Sequence, residues 1–404
     1  MNKYVKISLI IIFTIFIILS IIYIITNEKK TDLNHDTKDK KEWETTLGGN
    51  QNEAGWYVLP TSEGGCLVTG YTESYGSGES DVWLVKFDEK GNEKWNKTFG
   101  GTGTETGKAI QNTSDGNYIV VGSTTSYGNG YSDVWVIKLD IDGNELWNNT
   151  YGGSKNDTGR SIIITDNNMY IILGETWSYG AGKSDFWLIK IDSQGNEIWN
   201  KTYGGSEEDQ GRSLVYSDEE YVLAGGTRSY GSGEEDIWIL KADDEGNEIW
   251  NNTFGTSERI EYCNQVINAE NESFVFVGHS LSQNYSSLNS MIVKANSQGQ
   301  LEWKKDIEEN VDTGLSSIAE INDGYLGIGY IGSFTDGQQD VLIVKIDFSG
   351  NILWTKSMGK ENHTDAGIWV DGSRDEYFIT GYRENLLYNE NNLFLDLLLL
   401  KIKV

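Results

Sequence analysis

Residues 91–101 read GNEKWNKTFGG, and residues 195–205 read GNEIWNKTYGG. The tryptophan of this stretch recurs at nearly constant intervals through the chain. It stands at Trp43, Trp95, Trp147, Trp199, Trp250, Trp303 and Trp354, with spacings of 52, 52, 52, 51, 53 and 51 residues. Seven copies in register indicate a chain built from one repeated structural unit, because self-similarity at a fixed period is typical of propellers and solenoids.

Each copy contains four strand-like segments separated by turn residues. In the second copy we predict strands at 108–113, 118–123, 133–139 and 145–151. The third of these contains the run VWVI, which is apolar on both faces, so this strand needs cover on both sides. Four-stranded antiparallel sheets that bury both faces against neighbours are the blades of a β-propeller.

The first and last copies are incomplete, and they complement each other. Residues 42–49 supply a fourth strand without the first three, and residues 396–402 supply a third strand without a fourth. We therefore predict an all-β fold, a seven-bladed β-propeller of four-stranded antiparallel blades over residues 42–404. The N-terminal strand should pair with the C-terminal blade and close the ring, which leaves no open edge between blades.

Composition excludes several classes of protein. The chain has 404 residues with 61 acidic and 32 basic side chains, a formal charge of −29. Because nucleic-acid binders gain affinity from Lys and Arg, we expect no nucleic-acid partner. Two cysteines are too few for a disulfide scaffold or a four-thiolate zinc site. The 14 Trp, 22 Tyr and 12 Phe supply enough apolar material for a folded core.

The N-terminal residues indicate attachment to a membrane. Residues 7–25 are almost wholly apolar, long enough for a helix that spans a bilayer. No small-x-small cleavage site follows, which favours an uncleaved signal anchor over residues 1–26 rather than a cleaved signal peptide. Lys3 and Lys6 precede the run, so the N-terminus should be cytoplasmic and the propeller extracellular. Residues 27–41 have mixed charge and few apolar residues, typical of a flexible stalk.

The segment 83–95, WLVKFDEKGNEKW, resembles the tryptophan-docking repeat of pyrroloquinoline-quinone-type (PQQ-like) propellers. In that family a turn with Asp and Gly precedes a tryptophan that packs on the adjacent blade, so the resemblance implies this packing here. The Tyr-Gly-x-Gly-x-x-Asp loops resemble repeats of archaeal and bacterial cell-surface proteins. Quinone dehydrogenases of the family have a pair of adjacent cysteines and calcium ligands at the cofactor. Cys66 and Cys263 belong to different copies, so we expect no quinone cofactor.

An acidic residue recurs shortly after the Gly-Gly of each copy. These residues are Glu53, Glu105, Asp157, Asp209, Glu261, Asp312 and Asp365. Their spacing predicts a ring around the mouth of the central channel, where converging carboxylates could recruit a cation such as Ca²⁺. The alternative is that each carboxylate caps its own turn or pairs with a local base, such as Lys108, Arg160 or Arg212 three residues later.

Four loops between the second and third strands carry a glycine-flanked tyrosine. The tyrosines are Tyr75, Tyr127, Tyr179 and Tyr230, and the last three copies lack the motif. A tyrosine in such a loop offers a flat amphipathic surface for a sugar or a peptide. Plain packing of one blade against the next is the alternative.

The outer strands repeat the glycosylation signal Asn-x-Thr directly after the tryptophan. It occurs at Asn96, Asn148, Asn200 and Asn251. On an outward-facing rim these residues are candidates for N-glycosylation. The alternative is an exposed edge strand with polar residues.

The membrane tether and the repetition favour a non-catalytic module that binds a protein or glycan partner on its loop face. One alternative is an enzyme that hydrolyses or lyses a sugar polymer at an acid-lined channel mouth. Such an enzyme needs one blade to break the symmetry with an unmatched acid, base or metal ligand. Another alternative is a scaffold for envelope assembly, which would present a large apolar patch.

Overall fold

The computed structural model describes residues 40–284, 287–307, 309, 311–333, 338–360, 363–373, 375–385 and 394–404. Their strands form seven four-stranded antiparallel sheets. The first strand of each sheet contacts the first strands of both neighbouring sheets, so the sheets surround a central channel with these strands innermost. The fold is therefore an all-β, seven-bladed propeller, as predicted.

The propeller begins with strand β1, Lys40–Leu47, which belongs to the last blade. Blade 1 comprises β2 (Glu53–Pro60), β3 (Cys66–Thr72), β4 (Asp81–Phe87) and β5 (Glu93–Phe99). Blade 2 comprises β6 (Glu105–Asn112), β7 (Tyr118–Thr124), β8 (Asp133–Leu139) and β9 (Glu145–Tyr151). Blade 3 comprises β10 (Asp157–Ile164), β11 (Tyr170–Thr176), β12 (Asp185–Ile191) and β13 (Glu197–Tyr203). Blade 4 comprises β14 (Asp209–Ser217), β15 (Glu220–Thr227), β16 (Asp236–Ala242) and β17 (Glu248–Phe254).

The last three blades have longer strands. Blade 5 comprises β18 (Arg259–Ala269), β19 (Ser273–Ser282), β20 (Leu288–Ala295) and β21 (Leu301–Ile307), with a 3₁₀ turn at Glu270–Glu272. Blade 6 comprises β22 (Thr313–Ile321), β23 (Gly324–Ser333), β24 (Gln338–Ile346) and β25 (Ile352–Met358). Blade 7 comprises β26 (Asp365–Ser373), β27 (Glu376–Asn385), β28 (Phe394–Lys403) and β1.

The predicted signal anchor lies outside the described residues, as does the predicted stalk apart from its last two residues, which begin β1. Within the part of the chain that the structure describes, no helix has the length and apolar character needed to cross a bilayer.

Strand β1 closes the ring. It pairs with β28, so the strand order of blade 7 is β1-β28-β27-β26. Trp43 lies opposite Lys401, and the Lys401 ammonium forms ion pairs with Glu42 on β1 and Glu376 on β27 at 3.4 and 2.9 Å. The N-terminal and C-terminal strands of the propeller therefore pair with each other, which confirms the predicted closure.

The third strand of each blade supplies most of the core. Strands β4, β8 and β12 are buried at every residue, and Trp83, Trp135 and Trp187 in these strands are at most 3% exposed. Neighbouring blades cover both faces of these strands, as the apolar run VWVI required. Each fully buried aliphatic or aromatic side chain contributes roughly 1.5–3 kcal/mol. Face-to-face packing of blades is therefore the main source of stability.

Outer-strand tryptophans pack on the hairpin turn of the next blade. A Cβ at Gly143 would lie 2.7 Å from the ring of Trp95, and one at Gly91 would lie 2.7 Å from the ring of Trp43. The Trp43 indole N–H also donates to the Glu89 carbonyl at 3.0 Å. This close approach explains why tryptophan and turn glycine recur together in the sequence.

We expect Gly143→Ala to destabilise the propeller by about 2–4 kcal/mol. The residue has a φ of +74°, which costs a non-glycine residue roughly 1–2 kcal/mol, and the new methyl group would also displace the Trp95 ring at a further cost of about 1–3 kcal/mol. Gly116→Ala is the matched control, because Gly116 has a φ of +80° but no atom within 4 Å of its Cβ position. Urea unfolding measures both variants. Equal losses of stability would contradict the tryptophan contact.

Candidate functional site

The first strand of every blade contains a β-bulge near its start. In β6, Gly107 pairs with Gly122 and Ala109 pairs with Val121, so Lys108 has no partner on β7. The residues at this position are Trp56, Lys108, Arg160, Arg212, Asn264, Ser316 and Ile368, each 52 residues from the next. A bulge re-aims the side chain of its extra residue, and here the bulge residues are all half-buried.

All seven bulge residues line one pocket with a volume of about 380 Å³. Because every innermost strand contributes one residue, the pocket lies in the central channel. Trp369, Tyr330 and Tyr382 complete much of its wall. We call this site the channel pocket. Its lining in the described residues contains cations and aromatic rings but no carboxylate, and the seven carboxylates predicted at the channel mouth are not part of this lining.

Three consecutive blades place a cation in the channel pocket. Arg160 Nη2 donates to Glu175 Oε1 at 3.1 Å, and Arg212 Nη2 donates to the amide oxygen of Gln210 at 2.9 Å. Burial lowers the pKa of Arg212, and the Arg160 guanidinium lowers it further. The two guanidiniums therefore form a positively charged region of the pocket, and each has one side-chain acceptor. The protein as a whole is strongly acidic.

Lys108 lies on the face of Trp56, with Nζ 3.8 Å from the ring centroid. Burial, assisted by the charges of Arg160 and Arg212, lowers the pKa of Lys108 from its ordinary value to about 7. Close to neutral pH, a substantial fraction of this amine is therefore uncharged, unlike an ordinary surface lysine.

Aromatic rings form the other side of the channel pocket. Tyr71 stacks on Trp56 with centroids 6.3 Å apart, and Trp369 stacks on Tyr57 at 4.3 Å. Tyr382 also lines the pocket, and burial raises the pKa of its phenol, so the hydroxyl remains protonated at neutral pH. The pocket is thus polarised, with aromatic rings from blades 6, 7 and 1 facing cations from blades 2, 3 and 4.

Blade 5 contributes polar neutral groups. Asn264 Nδ2 donates to the Leu315 carbonyl at 2.8 Å and lies 3.4 Å from His279 Nδ1. Burial and the charge of Arg212 lower the pKa of His279 to about 4, so its imidazole is uncharged at neutral pH. This blade therefore adds no fourth positive charge to the pocket.

The predicted acidic ring is distributed over separate turns. Glu105 is fully buried and accepts hydrogen bonds from Gly101 N at 2.8 Å, Thr124 Oγ1 at 2.9 Å and Ser126 N at 3.0 Å. Equivalent turn contacts hold the buried carboxylates of Glu53, Asp157 and Asp209. A buried carboxylate needs donors, and the neighbouring turns supply them.

The remaining three members vary. Asp365 pairs with Arg383 at 2.7 Å, Glu261 accepts from Thr256 Oγ1 at 3.3 Å, and Asp312 accepts from the backbone N–H of Leu288 at 3.0 Å. Among the described residues, no three His, Cys, Asp or Glu side chains are grouped so that they could hold a metal ion. The geometry favours the local turn role over a shared cation site. The expected local pairing with the bases three residues later is absent at Lys108, Arg160 and Arg212, because their side chains turn into the channel pocket.

The four loop tyrosines bridge adjacent blades. Their hydroxyl groups donate to carbonyls at the end of the preceding outer strand, as Tyr127 does to Gly100 at 3.0 Å. The other three donors are Tyr75, Tyr179 and Tyr230, at 2.9–3.0 Å from Gly48, Gly152 and Gly204. Each ring remains 43–45% exposed. The tyrosines therefore brace the blades while presenting one face to solvent.

The four sequon asparagines are exposed on the outer strands, as expected for a rim. Their side chains nevertheless form hydrogen bonds with side chains of the same strand. Asn148 Nδ2 donates to Glu145 Oε1 at 2.6 Å, and its Oδ1 accepts from the Trp135 indole at 3.0 Å. Asn96, Asn200 and Asn251 make the same contact to a glutamate. A glycan at Nδ2 would therefore replace that glutamate contact.

Reasoning from the sequence missed the channel pocket. The bulge residues have a constant 52-residue spacing, but only Lys108, Arg160 and Arg212 among the seven share a chemistry. In blade 2 the first strand was predicted to begin at Lys108, whereas it begins at Glu105. The bulge explains this difference, because it interrupts the alternation of buried and exposed side chains on which the strand prediction depends.

Fold and site together define a seven-bladed propeller with a cationic and aromatic channel pocket. No protein-family model matches the chain. The chain is similar to the regulatory protein FlaEY of Caulobacter vibrioides, with 24% identity over 184 residues, which are 39% of this chain and 19% of that protein. The match therefore spans only about a fifth of that relative.

Several solved structures share the fold. A polysaccharide lyase, an ulvan lyase bound to GlcA(1-4)Rha3S, superposes with a TM-score of 0.56 at 9% identity, covering 83% of this chain and 92% of that chain. Puromycin hydrolase superposes with a TM-score of 0.52 at 11% identity, covering 82% of this chain and 50% of that chain. The WD40 domain of Neurospora crassa Pan2 superposes with a TM-score of 0.50 at 11% identity, covering 91% of this chain and 96% of that chain. Such identities show the fold alone, so the PQQ-like repeat type stays a prediction.

Proposed function

We propose that the propeller is an extracellular binding module whose channel pocket takes an anionic glycan. The observation that carries this proposal is the break in symmetry at the bulge position. The four other blades have Trp56, Asn264, Ser316 and Ile368 at this position, whereas the consecutive blades 2, 3 and 4 have Lys108, Arg160 and Arg212. Three cations in one pocket cost free energy, because they are partly desolvated and repel one another. Binding of an anion would offset this cost, in a protein that is otherwise strongly acidic.

The chemistry of the pocket suits an acidic sugar. Guanidinium groups match the geometry of carboxylate and sulfate groups, and form hydrogen bonds to them that are stronger than neutral ones. Aromatic rings such as Trp56 and Trp369 offer flat apolar faces to the C–H side of a sugar ring. A volume of about 380 Å³ is in the range of small-ligand sites and is too confined for a folded protein partner.

Hydrolysis of the glycan has less support. Most glycosidases need two carboxyl groups that flank the scissile bond. The lining of the channel pocket supplies none in the described residues, and the carboxylate of Glu175 accepts a hydrogen bond from Arg160. The ulvan lyase shows that a propeller can hold a glucuronate-containing saccharide, and for this chain the support comes from its own pocket residues.

Calorimetric titration of the full-length protein with oligogalacturonate tests the proposal, with a cello-oligosaccharide of equal length as the neutral ligand. We expect binding of the uronate only. Arg212→Gln should weaken it about 10- to 100-fold, since a hydrogen bond to a charged group contributes roughly 1.5–3 kcal/mol. Arg228→Gln is the matched control, because Arg228 is 44% exposed at its side chain and pairs with Glu208 and Glu235 outside the pocket. Equal binding of both sugars, or no effect of Arg212→Gln, would contradict the proposal.

We also propose that residues 1–26 anchor the protein in a membrane with the propeller outside, and that the rim asparagines are glycosylated. The apolar run and the two preceding lysines support the anchor. The exposure of Asn96 and its three counterparts supports modification. A scaffold role has less support, because exposed apolar residues of the outer strands, such as Leu146, Ile198 and Ile249, occur singly on separate blades.

A further inference from the structure

We propose that the channel pocket also cleaves its glycan by β-elimination, with Lys108 as the base that removes a proton from a bound uronate. This inference rests on the proposed function, since the same pocket must first bind an acidic sugar. It assigns the ligand class as a polymer of hexuronic acid and the reaction as that of a lyase.

The surroundings of Lys108 set it apart from the buried Lys138 and Lys190. Lys138 and Lys190 each form an ion pair at 2.6 Å, with Asp115 and Asp244 respectively. Within the described part of the chain, the Lys108 ammonium contacts the face of Trp56, and no carboxylate accepts a hydrogen bond from it. An enclosed amine without a counter-ion is disfavoured in its charged form. It is therefore suited to accept a proton.

Burial and the charged groups that face Lys108 disfavour its protonated form, whereas the face of Trp56, 3.8 Å from Nζ, favours it. The positive charges of Arg160 on β10 and Arg212 on β14 disfavour protonation of the amine. Glu175 on β11 accepts a hydrogen bond from Arg160. On the opposite side Trp56 on β2 and the phenol of Tyr71 on β3 carry no charge at neutral pH. The resulting pKa of about 7 matches the working range of a general base.

The two guanidiniums would perform a second task. A C–H bond next to a carboxylate is too weakly acidic for an amine to break unless the negative charge of the carboxylate is neutralised. Arg160 and Arg212 supply two positive charges to which a uronate carboxylate could bind, and in the transition state they would stabilise the charge that develops on it. The residues that recognise the ligand therefore also activate it.

The step balances without any co-reactant. The proton on the ring carbon next to the carboxylate moves to Lys108 Nζ, and its bonding electrons form a double bond to the next ring carbon. The C–O bond at that carbon breaks, and the leaving oxygen takes a proton from a phenol. Tyr330 and Tyr382 line the same pocket, and burial raises the pKa of both phenols, which keeps them protonated for this role. Water then restores both groups.

The test follows the unsaturated product by its ultraviolet absorbance, using full-length protein and polygalacturonate or polyglucuronate. We expect turnover by the native protein, with kcat/KM rising with pH through about 7, because the deprotonated amine is the active form of the free enzyme. Lys108→Met and Lys108→Arg should each lose about 100- to 10,000-fold in kcat. The arginine variant keeps the positive charge, so its loss separates the base from the charge. Lys94→Met, on the outer strand β5, should keep native activity.

Each outcome bears on a different claim. Binding of the uronate by a folded protein without formation of unsaturated product would overturn the lyase while leaving the proposed binding function in place. No binding would overturn both. Native turnover in Lys108→Met together with loss in His279→Ala would assign the base to His279 instead, and would overturn the role of Lys108.

Discussion

Deletion of residues 40–48 from the propeller is expected to abolish stable folding. This segment contains β1, which supplies the outer strand of blade 7 and pairs with β28 along its length. The deletion removes the docking of Trp43 on the turn of blade 1 and leaves the paired edge of β28 without a partner. The loss of one large aromatic contact and of a ladder of hydrogen bonds amounts to roughly 5 kcal/mol or more. A domain of ordinary stability has about 5–15 kcal/mol in total.

Far-ultraviolet circular dichroism and thermal unfolding would measure the effect. A deletion of residues 1–38 is the matched control, since it leaves β1 intact, and we expect it to unfold at the temperature of the full-length protein. An exposed edge should also promote association, visible as larger species in light scattering. If the variant without residues 40–48 unfolded cooperatively at the native temperature, the closure of the ring by β1 would be contradicted.

Glu105→Ala is expected to destabilise the propeller by about 3–5 kcal/mol. The carboxylate of Glu105 is fully buried and accepts from the backbone N–H groups of Gly101, Thr125 and Ser126 and from the Thr124 hydroxyl. Alanine would remove the acceptor of the Gly101 N–H and of the buried Thr124 hydroxyl, and the loss of a buried acceptor is among the costliest single changes. Glu105→Gln should cost less, because the amide oxygen can still accept.

Chemical denaturation measures these variants, with Glu79→Ala as the control. Glu79 is exposed, and its side chain accepts from Thr104 Oγ1 at 3.1 Å, so we expect a change within about 0.5 kcal/mol. The local turn role also predicts that neither a chelator nor added Ca²⁺ shifts the unfolding of the native protein. A large stabilisation by Ca²⁺ that disappears in Glu105→Ala would instead establish the shared cation site.

Much of the fold was predictable because the repeat is long and its period is nearly constant. Seven tryptophans in register gave the number of blades, and the incomplete copies at the two ends predicted the pairing of β1 with β28. The apolar run in β8 predicted burial on both faces, since a strand with no polar side has no face to leave in water. These patterns can be recognised in the sequence because each lies within a single repeat and depends on residues close to one another in the chain.

The functional residues were harder to predict for a physical reason. Glu105 and its counterparts repeat because the turn that most of them hold recurs from blade to blade. Lys108, Arg160 and Arg212 differ from the residues at the same position in the other blades, and their meaning depends on seven strands meeting around one axis. A residue type that is shared by three blades out of seven has no periodic signal.

The sequence by itself therefore determined the repeat unit, the number of blades and the closure of the ring, because these follow from local patterns of apolar residues and turns. Only the tertiary structure decided which side chains face the turns and which face the channel. The bulge makes that choice, since one extra residue in each innermost strand rotates the third residue after the acid, or the fourth in blade 6, out of the ladder. It turns a position spread over 312 residues of sequence, from Trp56 to Ile368, into the wall of a single pocket.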